Sequence, residues 1–190
     1  KEQKEVIRYI LWNMVYVEGG TANLGDNNNY PVDVASFFIN RYEVSQDEWY
    51  VIMGENPSNQ HRRNYPVDQV NWFNAQRFTQ KLSQLSGLPF RLPFEAEWEY
   101  AARGGLKTKN FIYAGSNNAE QVAWFREKYY NTYVSKETGT KKPNELGLYD
   151  MSGNVYEWCM DWYDRKVPFT GNIAPVISEK DTHKVLRGGS

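Results

Sequence analysis

The stretch Asn144–Trp162, NELGLYDMSGNVYEWCMDW, limits what this chain can fold into more than any other. Its nineteen residues combine Asp150 and Glu157 with two glycines and a cluster of aromatics. Gly153 and the small polar residues beside it allow a sharp backbone turn that points carbonyls inward. Two carboxylates plus backbone carbonyls are hard oxygen donors, the set calcium takes. The spacing is not that of an EF-hand, whose loop needs its own glycine and a terminal glutamate. A second reading has Asn154 and Glu157 only hydrogen-bonding the loop, without a metal. A metal here would be structural, stabilising the folded state by mass action.

The rest of the chain has to supply a core for this loop. At 190 residues, with 41% hydrophobic and 16% aromatic residues, it suits one loop-rich domain filled largely by big side chains. Lys and Arg number 22 against 23 Asp and Glu, a net charge of -1, which argues against a nucleic-acid partner. Cys159 is the single cysteine, so no intrachain disulfide forms, and two histidines (His61, His183) leave no room for a histidine-rich metal centre. No apolar run is long enough to span a membrane. The chain starts at Lys1, so a signal peptide or lipid anchor upstream would not be visible.

Local signals divide the chain further. Residues 1–13 read as an extension or linker end, with a domain over 14–190 that is cut short at its C-terminal end. The β-branched and aromatic run 6–17 predicts a strand or two, and Val32–Tyr42 another. Ser45 with Glu48 forms a capping box, and Val44 with Trp49 a hydrophobic staple, for a helix ending at Gly54. Asn71 caps a second helix whose stripe is Trp72, Ala75, Phe78, Leu82 and Leu85, ended by Gly87 and Pro89. A third runs from Glu95 to about Arg103. Its Glu95, Glu97 and Glu99 suit the positive end of a helix dipole and salt bridges better than acid/base chemistry. Residues 106–143 read as loop with short strands at FIYAG and VAWF.

Four blocks in order, RLPFEAEWEYAARGG, VAWF, NELGLYDMSGNVYEW and VLRGGS, resemble the sulfatase-modifying factor or formylglycine-generating enzyme family. YVEGG, NRYEVSQDEWYVIMG and YPVDQVNWFNAQRF are similar to it too, so the resemblance covers residues 14–190. It implies an α+β, C-type-lectin-like fold with short antiparallel sheets, about three helices and long irregular loops. The wording also resembles Bacteroidetes-type versions, which are generally exported, implying an extracytoplasmic place in the periplasm or at the cell surface.

For the site, the resemblance implies calcium held by the Asp150 side chain, the Gly153 and Val155 carbonyls, and Glu157. Asp150 replaces an amide of some relatives and keeps an oxygen donor. A second calcium site of the family does not carry over, because Val122 stands where its amide would be. Tyr156, Trp158 and Trp162 read as wall or as a stacking surface for sugar or peptide, and Cys159 as a packed thiol rather than a nucleophile or copper ligand. Phe94 takes the place of the Thr that usually caps the third helix, which should cost on the order of 1 kcal/mol unless it packs well. The family's oxidases bind copper through a cysteine pair in the segment after the Arg187–Ser190 motif. Such a pair would have to follow Ser190.

The first functional expectation is therefore a non-catalytic, calcium-stabilised binding or scaffold domain with a protein, peptide or glycan ligand. Its specific versions are a gliding or type IX secretion lipoprotein component and the variable protein of a diversity-generating retroelement. The alternative is a copper-dependent oxidase that converts a sulfatase cysteine to formylglycine. A sulfoxide synthase would need an iron-binding helical domain that this stretch does not supply.

Overall fold

The computed structural model describes residues 2–25, 30–125, 134–163 and 183–189. The segment 6–17, expected to be strand, begins as helix α1 (Glu2–Trp12) and only then becomes strand β1 (Met14–Val17). Packing overrides the β-branched composition here. Ile7 and Ile10 lie one turn apart and are buried with Trp49, Ile52, Phe78 and Leu82. Each contributes about 1.5–3 kcal/mol by burial, and Glu2 and Glu5 suit the helix N-terminus.

The expected single strand over 32–42 is two, β3 (Tyr30–Val34) and β4 (Phe37–Asn40). They serve different partners: β3 pairs antiparallel with β2 (Gly20–Leu24), and β4 with β1. Gly19 permits the crossing, since a Cβ there would lie 2.4 Å from the Val34 carbonyl oxygen. A third ribbon joins β5 (Tyr156–Trp162) to β6 (Lys184–Gly188), irregular between Trp158 and Trp162.

Helix α2 (Gln46–Met53) carries the full Ser45–Glu48 capping box and stops at Gly54, φ 87°. Helix α3 (Trp72–Ser86) is capped by Asn71 and ended by Gly87. Its Phe78 stacks on Trp49 at 5.1 Å, while Leu85, expected in the stripe, is exposed. Helix α4 (Glu95–Ala102) lacks a capping side chain at Phe94. Its first donors are met otherwise: Asp161 on β5 accepts the Glu95 N–H at 2.6 Å, and Glu97 accepts the Phe94 N–H at 2.8 Å. Arg91 pairs with Glu97 and lies 4.6 Å over the Phe94 ring, so Phe94 is packed.

With the short α5 (Ala119–Val122), the described residues hold five α-helices rather than about three. The expected strands in 106–143 are absent among the described residues. FIYAG forms a turn closed by a Tyr113–Ser116 bridge, and Val122 of VAWF ends α5. Two cores result. One lies among α1, α2 and α3; the other gathers Leu24, Val32, Trp98, Tyr100, Leu148, Met151, Cys159 and Val185 around α4. The Asn144–Trp162 stretch belongs to the second. Among the described residues no helix is long and apolar enough to cross a membrane.

Candidate functional site: a carboxylate-lined loop

The loop leaves the core at Leu148 and re-enters it as β5. Asn144, itself buried, sets its start by accepting the Leu146 and Leu148 N–H groups and donating to the Ala101 carbonyl at 2.8 Å. Two non-glycine residues in left-handed conformations, Asp150 (φ 58°) and Asn154 (φ 70°), bend it. Between them Gly153 touches the backbone of residue 124. A Cβ there would lie 2.2 Å from the Trp124 carbonyl oxygen, which accepts the Asn154 N–H at 2.8 Å.

Asp150 is 1% exposed. Its Oδ2 accepts the Gly139 N–H at 2.7 Å, while Oδ1 is buried without a hydrogen-bond partner. Burial raises its carboxyl above the ordinary range. Glu157 retains some exposed surface, but protein encloses its carboxyl, and this desolvation pushes it up to about 7. The Trp98 indole opposes that rise without completing a hydrogen bond, and the charge of Asp150 adds to it.

A third carboxylate reaches the loop from far away in sequence. Glu43, in the turn before α2, accepts from Asn154 Nδ2 at 2.6 Å and from the Val155 N–H at 3.1 Å. It is buried, and desolvation, then Glu157 and Asp150, hold it well above the usual carboxylate range. Asn154, fully buried, also accepts the Lys136 N–H at 2.8 Å. Gly188 on β6, opposite Tyr156, completes the surroundings with φ 85°. A Cβ on it would stand 2.9 Å from the Val155 carbonyl oxygen and 3.9 Å from Glu157 Oε1.

These features bear on whether a hard cation fits. Among the described residues no salt bridge neutralises Glu43, Asp150 or Glu157. Nor do three acidic, histidine or cysteine side chains converge as a metal cluster among them, so backbone oxygens would have to complete a coordination sphere. An orphaned carboxylate oxygen, a second enclosed carboxyl, and a carbonyl kept clear by a glycine are the donors calcium accepts. These donor types suit such an ion.

The other candidates are engaged in structural contacts. Glu97 pairs with Arg91, Glu99 with Arg103 and Arg187, and Glu95 with Arg187. Of these, Glu99, Arg103 and Arg187 also line a surface cavity of about 350 Å³, together with Tyr113 and Glu145. Cys159 is fully buried; desolvation, followed by the nearby carboxylates, pushes its thiol well above the ordinary value. Trp158 donates to the Val70 carbonyl at 2.9 Å, and Lys184 lies between the rings of Trp72 and Trp162 at 4.2 and 3.8 Å. Tyr156 alone of the three aromatics beside Cys159 is exposed. Val122 is buried in the core. The segment around residues 164–182 lies outside the described residues.

Sequence reasoning proposed Asp150, Gly153, Val155 and Glu157; the structure adds Glu43 and Gly188 to their surroundings. One signal for Glu43 was available: a lone charge between Tyr42 and Val44, just before a helix cap.

Among the described residues, three short two-stranded ribbons, a helical half and a bent acidic loop form a domain of the formylglycine-generating-enzyme type. The chain belongs to the family described as the sulfatase-modifying factor enzyme 1-like domain, which matches residues 3–190. It is 35% identical to the chaperone protein LppX of Paenibacillus barcinonensis, over 80% of this chain and 72% of the relative. It is 34% identical to the formylglycine-generating enzyme of Streptomyces coelicolor, over 68% of this chain but 43% of the enzyme. Against other curated relatives, the chlamydial serine/threonine-protein kinases pkn1, it spans about a third of their length. Among solved structures, Treponema denticola variable protein 1 superimposes with a TM-score of 0.72 at 28% identity, over 93% of this chain and 82% of that one.

Proposed function

We propose that this domain is a calcium-stabilised binding or scaffold module, exported from the cell, rather than an oxidase. The orphaned Asp150 Oδ1, in a loop whose carboxylates have no basic partner among the described residues, is the observation that carries the calcium reading. Asp150, Glu157 and the Gly153 and Val155 carbonyls would hold the ion. Bound there, it would supply charge neutralisation and loop rigidity. Calcium sites of extracellular modules often bind at 0.1–1 mM, so a modest site of this type suits an extracytoplasmic setting. Against a catalytic role for Cys159 stand its burial and its raised pKa, which keep the thiolate, the nucleophile and metal ligand, out of reach. A ligand would be a protein, peptide or glycan. Likeness to a protein described as a variable protein favours the variable-protein version of this reading.

The decisive measurement is thermal unfolding at rising calcium. At a concentration of about 100 Kd the gain is about 2.7 kcal/mol. That corresponds to a midpoint rise of roughly 5–11 °C for a chain of this size. Glu157→Gln should abolish most of it. No shift by about 100 mM calcium, which is about 100 Kd for a site at the weak end of the extracellular range, would overturn the calcium reading. The binding-module reading is tested separately, with the full-length protein, copper and a peptide containing Cys-x-Pro-x-Arg. Conversion of the peptide cysteine to an aldehyde, read by mass spectrometry, would replace it with the oxidase.

A further inference from the structure

The calcium reading leaves one group of the site without a role. Glu43 is 6% exposed and carries no basic partner among the described residues, yet both its oxygens are engaged. Oε1 takes the Val155 N–H at 3.1 Å and Oε2 takes Asn154 Nδ2 at 2.6 Å, so neither points into the loop as an idle donor. Two residues earlier on the same segment, the Arg41 carbonyl accepts the Tyr149 N–H at 3.0 Å. Residues 41–43 therefore grip the acidic loop at both ends, at Tyr149 just before Asp150 and at Val155 just before β5. The Val155 peptide is fixed by its N–H, and its carbonyl oxygen faces the bare Cα of Gly188 on the same side as Glu157 Oε1.

We infer that Glu43 is a positioning residue of the cation site: by holding the Val155 peptide and Asn154, it sets the Val155 carbonyl and the loop bend that calcium binding requires. This rests on the calcium reading above. Glu43 also places a third carboxylate behind the ligands, which favours a cation over an empty loop. Its role differs from that of an ordinary buried contact, because its hydrogen bonds serve the segment that carries the ligands.

Glu43→Gln tests this in the full-length protein. The glutamine keeps the shape and one acceptor. In either orientation its NH2 group meets a donor, the Val155 N–H or Asn154 Nδ2, and Asn154 cannot turn over without losing the acceptor it offers Lys136. Calcium itself is the probe, with affinity from isothermal titration and the calcium-induced rise in midpoint from calorimetry. The expected result is affinity weakened about tenfold and a smaller rise, with the calcium-free midpoint changed far less than the calcium-loaded one. Asp47→Asn, which alters a carboxylate paired with Arg63 at the surface, should leave calcium affinity within twofold. Should Glu43→Gln fail to fold, Asn154→Ser carries the test. It removes the donor to Glu43 Oε2, and affinity should weaken at least threefold. Affinity within twofold of wild type in whichever variant folds, or equal losses with and without calcium, would overturn the inference. Failure of wild type to bind calcium sinks the calcium reading itself, which is a different outcome.

Discussion

Gly153→Ala probes the closest backbone approach in the acidic loop. The added methyl would begin 2.2 Å from the Trp124 carbonyl oxygen, where ordinary contact starts near 3.4 Å, so one backbone must retreat by about 1.2 Å. That retreat cannot be absorbed by a side-chain rotation. It pulls apart the Asn154 N–H···O bond to Trp124, now 2.8 Å, and disturbs Asn154, whose side chain ties Glu43 to Lys136. Overpacking of this kind costs about 1–3 kcal/mol, and the lost hydrogen bond about 1 kcal/mol more. The expected destabilisation is about 2–4 kcal/mol, a midpoint lower by roughly 4–16 °C at this chain length. Urea unfolding followed by tryptophan fluorescence measures it, in calcium-free buffer so that no ligand masks the change. Gly54→Ala is the control. That glycine has φ 87° but nothing within 4 Å of a Cβ, so it should lose only about 1 kcal/mol through backbone strain. If Gly153→Ala costs no more than Gly54→Ala, the loop is not held by this contact and the reasoning fails.

Other perturbations test neighbouring claims. Burial pushes the Glu95 carboxyl from 4.5 up to about 7, with Arg187 opposing and Asp161 and Glu99 adding. The folded state therefore binds this proton more tightly, and stability from Glu95 should fall as pH rises from about 4.5 through 7, by about 1–2 kcal/mol after allowance for partial solvent access. Glu95→Gln should remove that part of the slope in urea midpoints measured across the window. Phe94→Thr supplies a cap but loses the stacking of Arg91, so its stability by urea denaturation should lie within about 1 kcal/mol of wild type. A gain above that would mean the Phe94 ring contributes nothing. Cys159 should react with an aromatic disulfide reagent only as fast as the protein unfolds, orders of magnitude slower than in urea. Prompt labelling of the native protein would contradict its burial.

Local chemistry was legible where one segment determines its own structure. The Ser45–Glu48 box, the Asn71 cap and the glycine stops at 54 and 87 depend on residues within one turn, and the structure places them as the sequence implies. Helix α1 was not legible in that way. Its Ile and Val content favours strand, and only the cavity offered by Trp49, Ile52, Phe78 and Leu82 makes its Ile7–Ile10 stripe helical. The split of 30–40 into β3 and β4 has the same origin, because each half is claimed by a different partner strand. The α4 cap shows the limit most clearly: Phe94 reads as a defect until Asp161, 66 residues downstream of Glu95, supplies the acceptor.

The acidic loop divides along the same line. Asp150 and Glu157 stand in one short segment with a glycine between them, so spacing alone suggested a pair of oxygen donors. What spacing does not encode is the charge environment, which here depends on a residue 111 positions from Asn154 and on a glycine in the last strand. Two carboxylates in an exposed loop would be solvated and unremarkable. The same two beside a buried Glu43, with no basic side chain paired to any of them among the described residues, form a concentration of negative charge that folding alone does not offset. Protonation, or the cation proposed above, would relieve it. The rise of Glu157 to about 7 marks the first route, and the orphaned Asp150 oxygen is the structural opening for the second. Competition between them predicts that lowering pH from 8 to 6 weakens calcium binding by displacing it with protons. A pH-independent affinity, measured by titration calorimetry across that range, would mean the ion does not engage Glu157.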